Sequence, residues 1–237
     1  MSLYFILLFI TISFPVAFSW DYRFKYFSKI KALIPAFSIS ALFFIIWDII
    51  FTKNKIWGFN ELHTSNVKLF YLPIEEWLFF FVIPYSCLFI YESVKYFFYL
   101  KKYNKISKKI IIIVGIILLI SASLNPNKSY TFWNFLFCGG FMLTIGLLNF
   151  TFYANFLVAY IFSLIPFFII NGILTDGNFD FSYETDPIVW YNNSENLSIR
   201  IITIPIEDIF YCLLLLLMNI TIYEKCLNKF KLNSYSH

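Results

Sequence analysis

The chain has 237 residues, of which 60% are hydrophobic and only 14% are charged. Seven apolar segments are long enough, or nearly so, to cross a hydrocarbon core of about 30 Å, which takes roughly 20 helical residues. They span 2–19, 31–51, 74–98, 108–124, 131–149, 152–174 and 203–224. This composition leaves no room for a separate soluble domain and predicts a polytopic membrane protein with an all-α fold.

The first segment, 2–19, is not typical of a cleavable signal peptide. No basic residue precedes its apolar run, and the following "PVAFSW" is a poor small-residue cleavage site. We therefore expect the segment to remain in the protein as a transmembrane helix.

The net charge of +4 does not indicate nucleic-acid binding, because the basic residues sort by side of the membrane. With seven spans, thirteen bases fall on the C-terminal side and five on the other. Cytoplasmic loops carry the excess of Lys and Arg in membrane proteins. We therefore expect a multi-pass protein of the cell (inner or plasma) membrane, with its N-terminus outside and its C-terminus in the cytoplasm.

The cysteines and histidines give no indication of a metal site. Cys87, Cys138, Cys212 and Cys226 lie in or next to apolar segments, without a CxxC spacing. We predict no bound metal and no disulfide framework, and interpret these cysteines as small buried hydrophobic residues.

An internal repeat dominates the rest of the sequence. "LPIEEWLFFFVIPYSCLFIYE" at 72–92 aligns without gaps on "IPIEDIFYCLLLLLMNITIYE" at 204–224, an offset of 132. The proline and the first glutamate match, and acid faces acid at Glu76 and Asp208. Upstream, "FFIIWD" (43–48) is similar to "FFIING" (167–172), and "IWGFN" (56–60) to "VWYNN" (189–193).

The repeat predicts two three-helix units in parallel orientation, joined by a linking helix. We assign 1–100 to the first unit, 101–130 to the linking helix and 131–237 to the second unit. Parallel repeats are related by an axis along the membrane normal, and functional sites tend to form where the halves meet.

The two proline–acid motifs, Glu75–Glu76 and Glu207–Asp208, are the candidate site. Proline and acids are both common in a first helical turn, so a single motif would be interpreted as a helix start. Two motifs in matching positions favour a shared site. In apolar surroundings one carboxyl can stay neutral as a proton donor while its partner is ionised as an acceptor. Lys68 and Arg200, each five residues before the proline of its motif, are the predicted charge partners.

Glu92 and Glu224 each follow a tyrosine near the far ends of their helices. Tyrosine is common at membrane interfaces, so we predict an anchoring role for both acids.

At these residues the chain resembles the integral-membrane lycopene cyclase family, in which two small three-span units occur separately or fused. The family's mark is a PxE(E/D) motif in each unit, here Pro73–Glu76 and Pro205–Asp208. The "WD", "WxFN", "IPY" and "YE" elements of the first unit match too, as do "FFIING", "VWYN" and "IRIITIPIED" in the second. The resemblance covers nearly the whole chain.

The resemblance implies conversion of the acyclic ψ-ends of lycopene to β-ionone rings by a redox-neutral isomerase (intramolecular lyase). An acid protonates an alkene, a cation closes the ring, and a base removes a proton. It implies catalytic roles for Glu75, Glu76, Glu207 and Asp208. Aromatic rings that could face the cation and bind the substrate are Trp57, Trp77, Phe79, Phe80, Trp190 and Tyr211. No GxGxxG motif follows a strand, and we expect no cofactor.

Two other functions stay open. A carotenoid end-group hydratase would use the same acid step but admit water. A transporter with parallel repeats would show interrupted helices and charges near the membrane centre. The expected partners are lycopene and membrane lipids, with no nucleic acid, and a homo-oligomer is left open.

Overall fold

The computed structural model describes residues 2–176 and 187–232. In this part of the chain seven α-helices make up the fold. They are α1 (Leu3–Ala17), α2 (Ile30–Lys53), α3 (Ile74–Phe97), α4 (Asn104–Leu124), α5 (Ser129–Leu147), α6 (Tyr153–Asp176) and α7 (Ile206–Lys229). Six of them are long and apolar enough to cross a membrane, and α1, with 15 residues, is shorter. The prediction of an all-α transmembrane bundle is confirmed.

Each proline–acid motif lies at a helix start, but its proline lies just before the first helical turn and not, as expected, inside it. Pro73 and Pro205 have extended backbone angles and precede the helices, which begin at Ile74 and Ile206. The proline is therefore the cap residue rather than part of the first turn.

The helices pack both across and within the two halves that the internal repeat relates. Helix α2 packs against α7, and α3 packs against α6. Within the halves α1 lies against α3, and α5 against α7. Helices α4 and α5 come closest of all, because Gly115 and Gly139 face each other's backbone. A Cβ at Gly139 would lie 2.7 Å from the Gly115 carbonyl oxygen, the kind of close approach that small residues allow between membrane helices.

Short strands organise the loops at the end of the bundle where α3 and α7 begin. Two tight hairpins lead into these helices: β2 (Lys68–Leu69) with β3 (Leu72–Pro73), and β5 (Arg200–Ile201) with β6 (Ile204–Pro205). A third pair, β1 (Trp57–Phe59) with β4 (Val189–Tyr191), is antiparallel and ties the two long loops together.

The opposite end of the bundle holds a buried group of charges. Glu92 of α3 pairs with Lys29, and Lys95 lies 3.3 Å from Glu92 and 2.7 Å from Glu224 of α7. Tyr91 also donates to Glu224, at 2.6 Å. Glu92 and Glu224 were expected to be interface anchors, but they belong to an ion network that joins α2, α3 and α7.

Candidate active site

Three carboxyl side chains from different helices line one small cavity of about 80 Å³, at the end of the bundle where α3 and α7 begin. Glu76 comes from α3, Asp208 from α7 and Asp48 from α2, and all three are buried. Glu76 and Asp208 are the second acids of the two motifs. The fold thus brings the repeated motifs to a common point between the halves.

Asp208 accepts three hydrogen bonds. Tyr130 donates to Oδ1 at 2.5 Å, while Tyr191 and Asn171 donate to Oδ2, each at 2.8 Å. Hydrogen bonds to a carboxylate stabilise its charged form. Asp208 is therefore surrounded by donors from α5, α6 and β4.

Glu76 and Asp48 form a pair on the other wall. The two carboxyls are hydrogen-bonding neighbours. Tyr4 of α1 donates to Glu76 Oε2 at 2.5 Å, and Tyr211 of α7 donates to Asp48 Oδ1 at 2.8 Å. Two neighbouring carboxyls away from water cannot both be ionised at low cost, so they are suited to hold one proton between them.

The first acid of each motif points the other way, toward the loops. Glu75 accepts from the Ser65 N–H at 2.7 Å, and Glu207 accepts from the Leu197 N–H, also at 2.7 Å. Ser65 and Leu197 are themselves 132 residues apart. Hydroxyls of the first helix of each half complete the pattern: Ser2 on Glu75 and Thr131 on Glu207, at 2.6 and 2.5 Å. These acids hold the outer loops onto the bundle.

The two expected charge partners contact other groups. Lys68 pairs with Glu61 at 2.5 Å, on the surface of the loop. Arg200 donates to the Thr203 carbonyl and to Asn193, at 2.6 and 2.8 Å, and its guanidinium lies over the Tyr191 ring. Their short strands direct Lys68 and Arg200 away from the motif acids. Both bases therefore stabilise the geometry of the hairpins and loops.

Of the six aromatic residues expected to bind substrate, three line the cavity: Trp57, Phe79 and Tyr211. Phe80 is fully buried in the core and stacks on Phe44. Trp77 donates to the Leu69 carbonyl, and Trp190 is partly exposed on the outer side of β4.

Several cavity residues were not selected from the sequence: Asp48, Tyr4, Tyr130, Asn171 and Tyr191. Three of them, Asp48, Asn171 and Tyr191, lie in the "WD", "FFIING" and "VWYN" elements. The sequence marked these elements but did not indicate which way their side chains point. Tyr4 and Tyr130 lie in the first helices of the two halves, which the motif alignment does not reach.

Tyr191 lies in β4, outside the helices. Withdrawal from water and the neighbouring Asp208 carboxyl raise the pKa of the Tyr191 phenol well above its usual value. The phenol therefore keeps its proton and serves Asp208 as a hydrogen-bond donor. Its ring stacks on that of Tyr130, with centroids 5.8 Å apart, and Trp57 lies edge-on to Tyr130 at 4.9 Å. Aromatic faces therefore border the three carboxyls.

Comparison with known families gives a match over most of the chain. The sequence profile described as Lycopene cyclase matches residues 1–94 and 127–226, which together make up most of the chain. The matched regions include both acid motifs and Asp48. No curated protein and no solved structure was found to match the chain. The extent of the profile match shows that the chain belongs to the lycopene cyclase family.

Proposed function

We propose that this protein is a lycopene β-cyclase, which closes the ψ-end groups of lycopene into β-ionone rings without a net change in oxidation state. The observation that carries the proposal is the meeting of Glu76, Asp208 and Asp48 in one apolar, aromatic-lined cavity. Acid–base catalysis on an alkene needs a carboxylic acid and a carboxylate close together and away from water.

In this proposal the Asp48–Glu76 pair is the proton donor. The two carboxyls hold one proton between them, and the Tyr4 and Tyr211 hydroxyls keep them oriented. Transfer of this proton to the terminal double bond of the ψ-end gives a tertiary cation. The neighbouring double bond attacks that cation, a carbon–carbon bond forms, and the positive charge moves into the new ring.

Asp208 is the proposed base. Its three hydrogen bonds from Tyr130, Tyr191 and Asn171 stabilise the carboxylate before the reaction. Removal of one ring proton by Asp208 restores a double bond. One proton enters and one leaves, so the product is an isomer of the substrate.

The cation is stabilised by ring faces as well as by the carboxylate. Trp57, Tyr130, Tyr191 and Tyr211 all line the cavity. The hydroxyls of the three tyrosines donate to carboxyls. A bound hydrocarbon therefore contacts the faces of the tyrosine rings. Rings of this kind attract a cation by roughly 0.5–2 kcal/mol each.

Glu75 and Glu207 are proposed to position the site rather than to react. Each accepts a hydrogen bond from a backbone N–H of the loop that precedes its helix. Their contribution is to exclude water, because a hydrated cation would be captured as an alcohol instead of closing a ring.

Expression in a lycopene-accumulating bacterium, followed by pigment chromatography, tests the reaction. We expect β-ring carotenoids. Unchanged lycopene with the protein present in the membrane would contradict the proposal. A hydroxylated acyclic carotenoid would support the hydratase alternative.

Variants of the motifs test the division of roles in the same cells. Glu76→Gln and Asp208→Asn should each lower cyclisation by about 100-fold or more, the usual contribution of a general acid or base. Glu75→Gln should keep a measurable rate, since the amide oxygen can still accept from Ser65. Equal loss in all three variants would show that both acids of the motif take part in the reaction.

The orientation with the N-terminus outside and the C-terminus in the cytoplasm is part of the proposal, supported by the distribution of bases. A C-terminal green fluorescent protein fusion, which folds in the cytoplasm, should fluoresce. An active C-terminal alkaline phosphatase fusion would indicate the opposite topology.

A further inference from the structure

A second, larger cavity adjoins the acids. It has a volume of about 650 Å³ and lies between α1, α3 and α6. Phe79, Ile83 and Cys212 line both cavities, and so do Phe167, Asn171 and Leu174. The two spaces are therefore neighbours, and we call the larger one the groove.

The groove follows α3 for most of its length. Its α3 wall runs from Phe79 through Ile83, Ile90 and Ser93 to Phe97. Eighteen helical steps correspond to about 27 Å, close to the thickness of a hydrocarbon core. The shape fits an extended chain that lies along the membrane normal with one end at the acids.

Apart from Ser163, whose buried hydroxyl has no hydrogen-bond partner in the described part of the chain, the polar side chains of the groove make their hydrogen bonds within the protein. Thr11, Ser86 and Ser93 each donate to a main-chain carbonyl. Asn171 donates to Asp208, and Ser163 lies beside Cys87. A bound molecule would meet methyl groups and aromatic rings, so the groove suits a hydrocarbon rather than a ligand with polar anchors.

The mouth of the groove faces the lipid. Ile10 and Phe14 of α1, and Ile165 and Ile169 of α6, line it and are well exposed on the bundle surface. A hydrocarbon dissolved in the bilayer can enter there without crossing water.

At the corresponding junction of the other half, a large side chain is present. The sequence match places Trp47 of α2 where α6 has Asn171. The buried Trp47 ring lies 5.1 Å from the ring of Phe137 in α5 and 5.2 Å from that of Tyr211 in α7. One side chain thus occupies the junction of α2, α5 and α7, and the two halves differ at this point.

We propose that the groove binds the polyene chain of the carotenoid, so that one end group at a time reaches the acids. This inference rests on the proposed cyclase function. The uncyclised end of the molecule lies toward Phe97, and a second cyclisation requires the monocyclic product to leave and enter again in reverse.

The test fills the far part of the groove with Ser93→Trp. The matched control is Thr144→Trp, because Thr144 also donates to the carbonyl four residues earlier but lies on the exposed face of α5, away from the groove. Each variant is assayed in membranes with lycopene and with a shorter acyclic polyene that carries the same ψ-end.

We expect Ser93→Trp to lower lycopene conversion at least 10-fold relative to the short polyene, and Thr144→Trp to change neither. Equal conversion of both substrates by Ser93→Trp, or loss of both at a normal membrane level, overturns the groove proposal. If Ser93→Trp does not accumulate, Ile90→Trp replaces it with the same criteria. A wild-type protein that converts neither substrate overturns the cyclase function instead.

A time course with excess lycopene tests the sequence of events. The monocyclic carotenoid should accumulate before the bicyclic one. Appearance of the bicyclic product with no monocyclic intermediate at any time contradicts binding of one end at a time.

Discussion

At the residue scale, the main result is that adjacent acids with the same sequence signal have different surroundings. Neighbouring helical residues point about 100° apart, so Glu75 and Glu76 cannot share one environment. Helix geometry requires this division but does not fix which acid enters the cavity. The hairpin before α3 brings Ser65 back over the helix start, and this places Glu75 under the loop and Glu76 in the cavity.

Asp48 shows what sequence reasoning could not reach at this scale. It lies in an apolar helix, 28 residues before Glu76 and 160 before Asp208. Nothing local distinguishes a buried acid that serves a site from one that faces solvent at a helix end. The packing of α2 against α3 and α7 brings it to Glu76 and Tyr211.

The first prediction concerns Asp48. Asp48→Asn should lower the cyclisation rate at least 10-fold, since an amide next to Glu76 cannot share an acidic proton. The rate is measured in membranes supplied with lycopene, with protein quantified by immunoblot. Asp21→Asn, which removes a carboxyl from the loop after α1, is the control and should leave the rate unchanged. A rate for Asp48→Asn equal to that of wild type would leave Glu76 as the sole donor.

At the element scale, the helices were predictable and the strands were not. Long apolar runs determine where a chain can cross a bilayer, so the predicted and observed helices agree to within a few residues at most ends. The strands have two or three residues each, too few for an alternating pattern to be recognised. They matter nonetheless, because β1 and β4 bring Trp57 and Tyr191 to the acids.

The second prediction concerns the contact between these strands. Gly58 pairs with Trp190, and a Cβ at Gly58 would lie 2.3 Å from a carbon of the Trp190 ring. Gly58→Ala should therefore push β4 outward and weaken the Tyr191 hydrogen bond to Asp208. We expect a several-fold lower cyclisation rate with the protein still in the membrane. Gly140→Ala is the control, since a Cβ there meets no atom within 4 Å. Equal rates for the two variants would show that the strand pair does not position Tyr191.

At the scale of the whole molecule, the internal repeat explains the features that the two halves share. Sequence differences between the halves explain why the groove lies at one of the two junctions that the repeat relates. The matched acids, the hairpins and the loop contacts of Glu75 and Glu207 all follow the repeat. Trp47 and Asn171 occupy matching places and break the symmetry, one filling a junction and the other lining a cavity. The aligned sequence contains this difference, but its effect on volume depends on how three helices pack.

The ion network far from the acids also acts at this scale, because it connects α2 and α3 to α7. Lys29 and Glu92 are almost completely buried, with side-chain exposures of 2% and 0%. Removing one partner of a buried ion pair takes a compensating charge away from the other, which costs about 3–5 kcal/mol. The Lys68–Glu61 pair, by contrast, is exposed to solvent. Exposed ion pairs contribute about 0–1 kcal/mol to the free energy of unfolding.

The third prediction follows from this contrast. Glu92→Gln should clearly lower the thermal unfolding temperature of the detergent-purified protein, whereas Glu61→Gln should leave it nearly unchanged. Lys29→Met combined with Glu92→Leu should recover part of the loss, because the double change removes both buried charges together. The acids lie at the other end of the bundle, so Glu92→Gln should retain cyclisation at low temperature in proportion to the folded protein. If Glu92→Gln unfolds at the temperature of the wild type, the buried pairs that Glu92 forms do not contribute to stability.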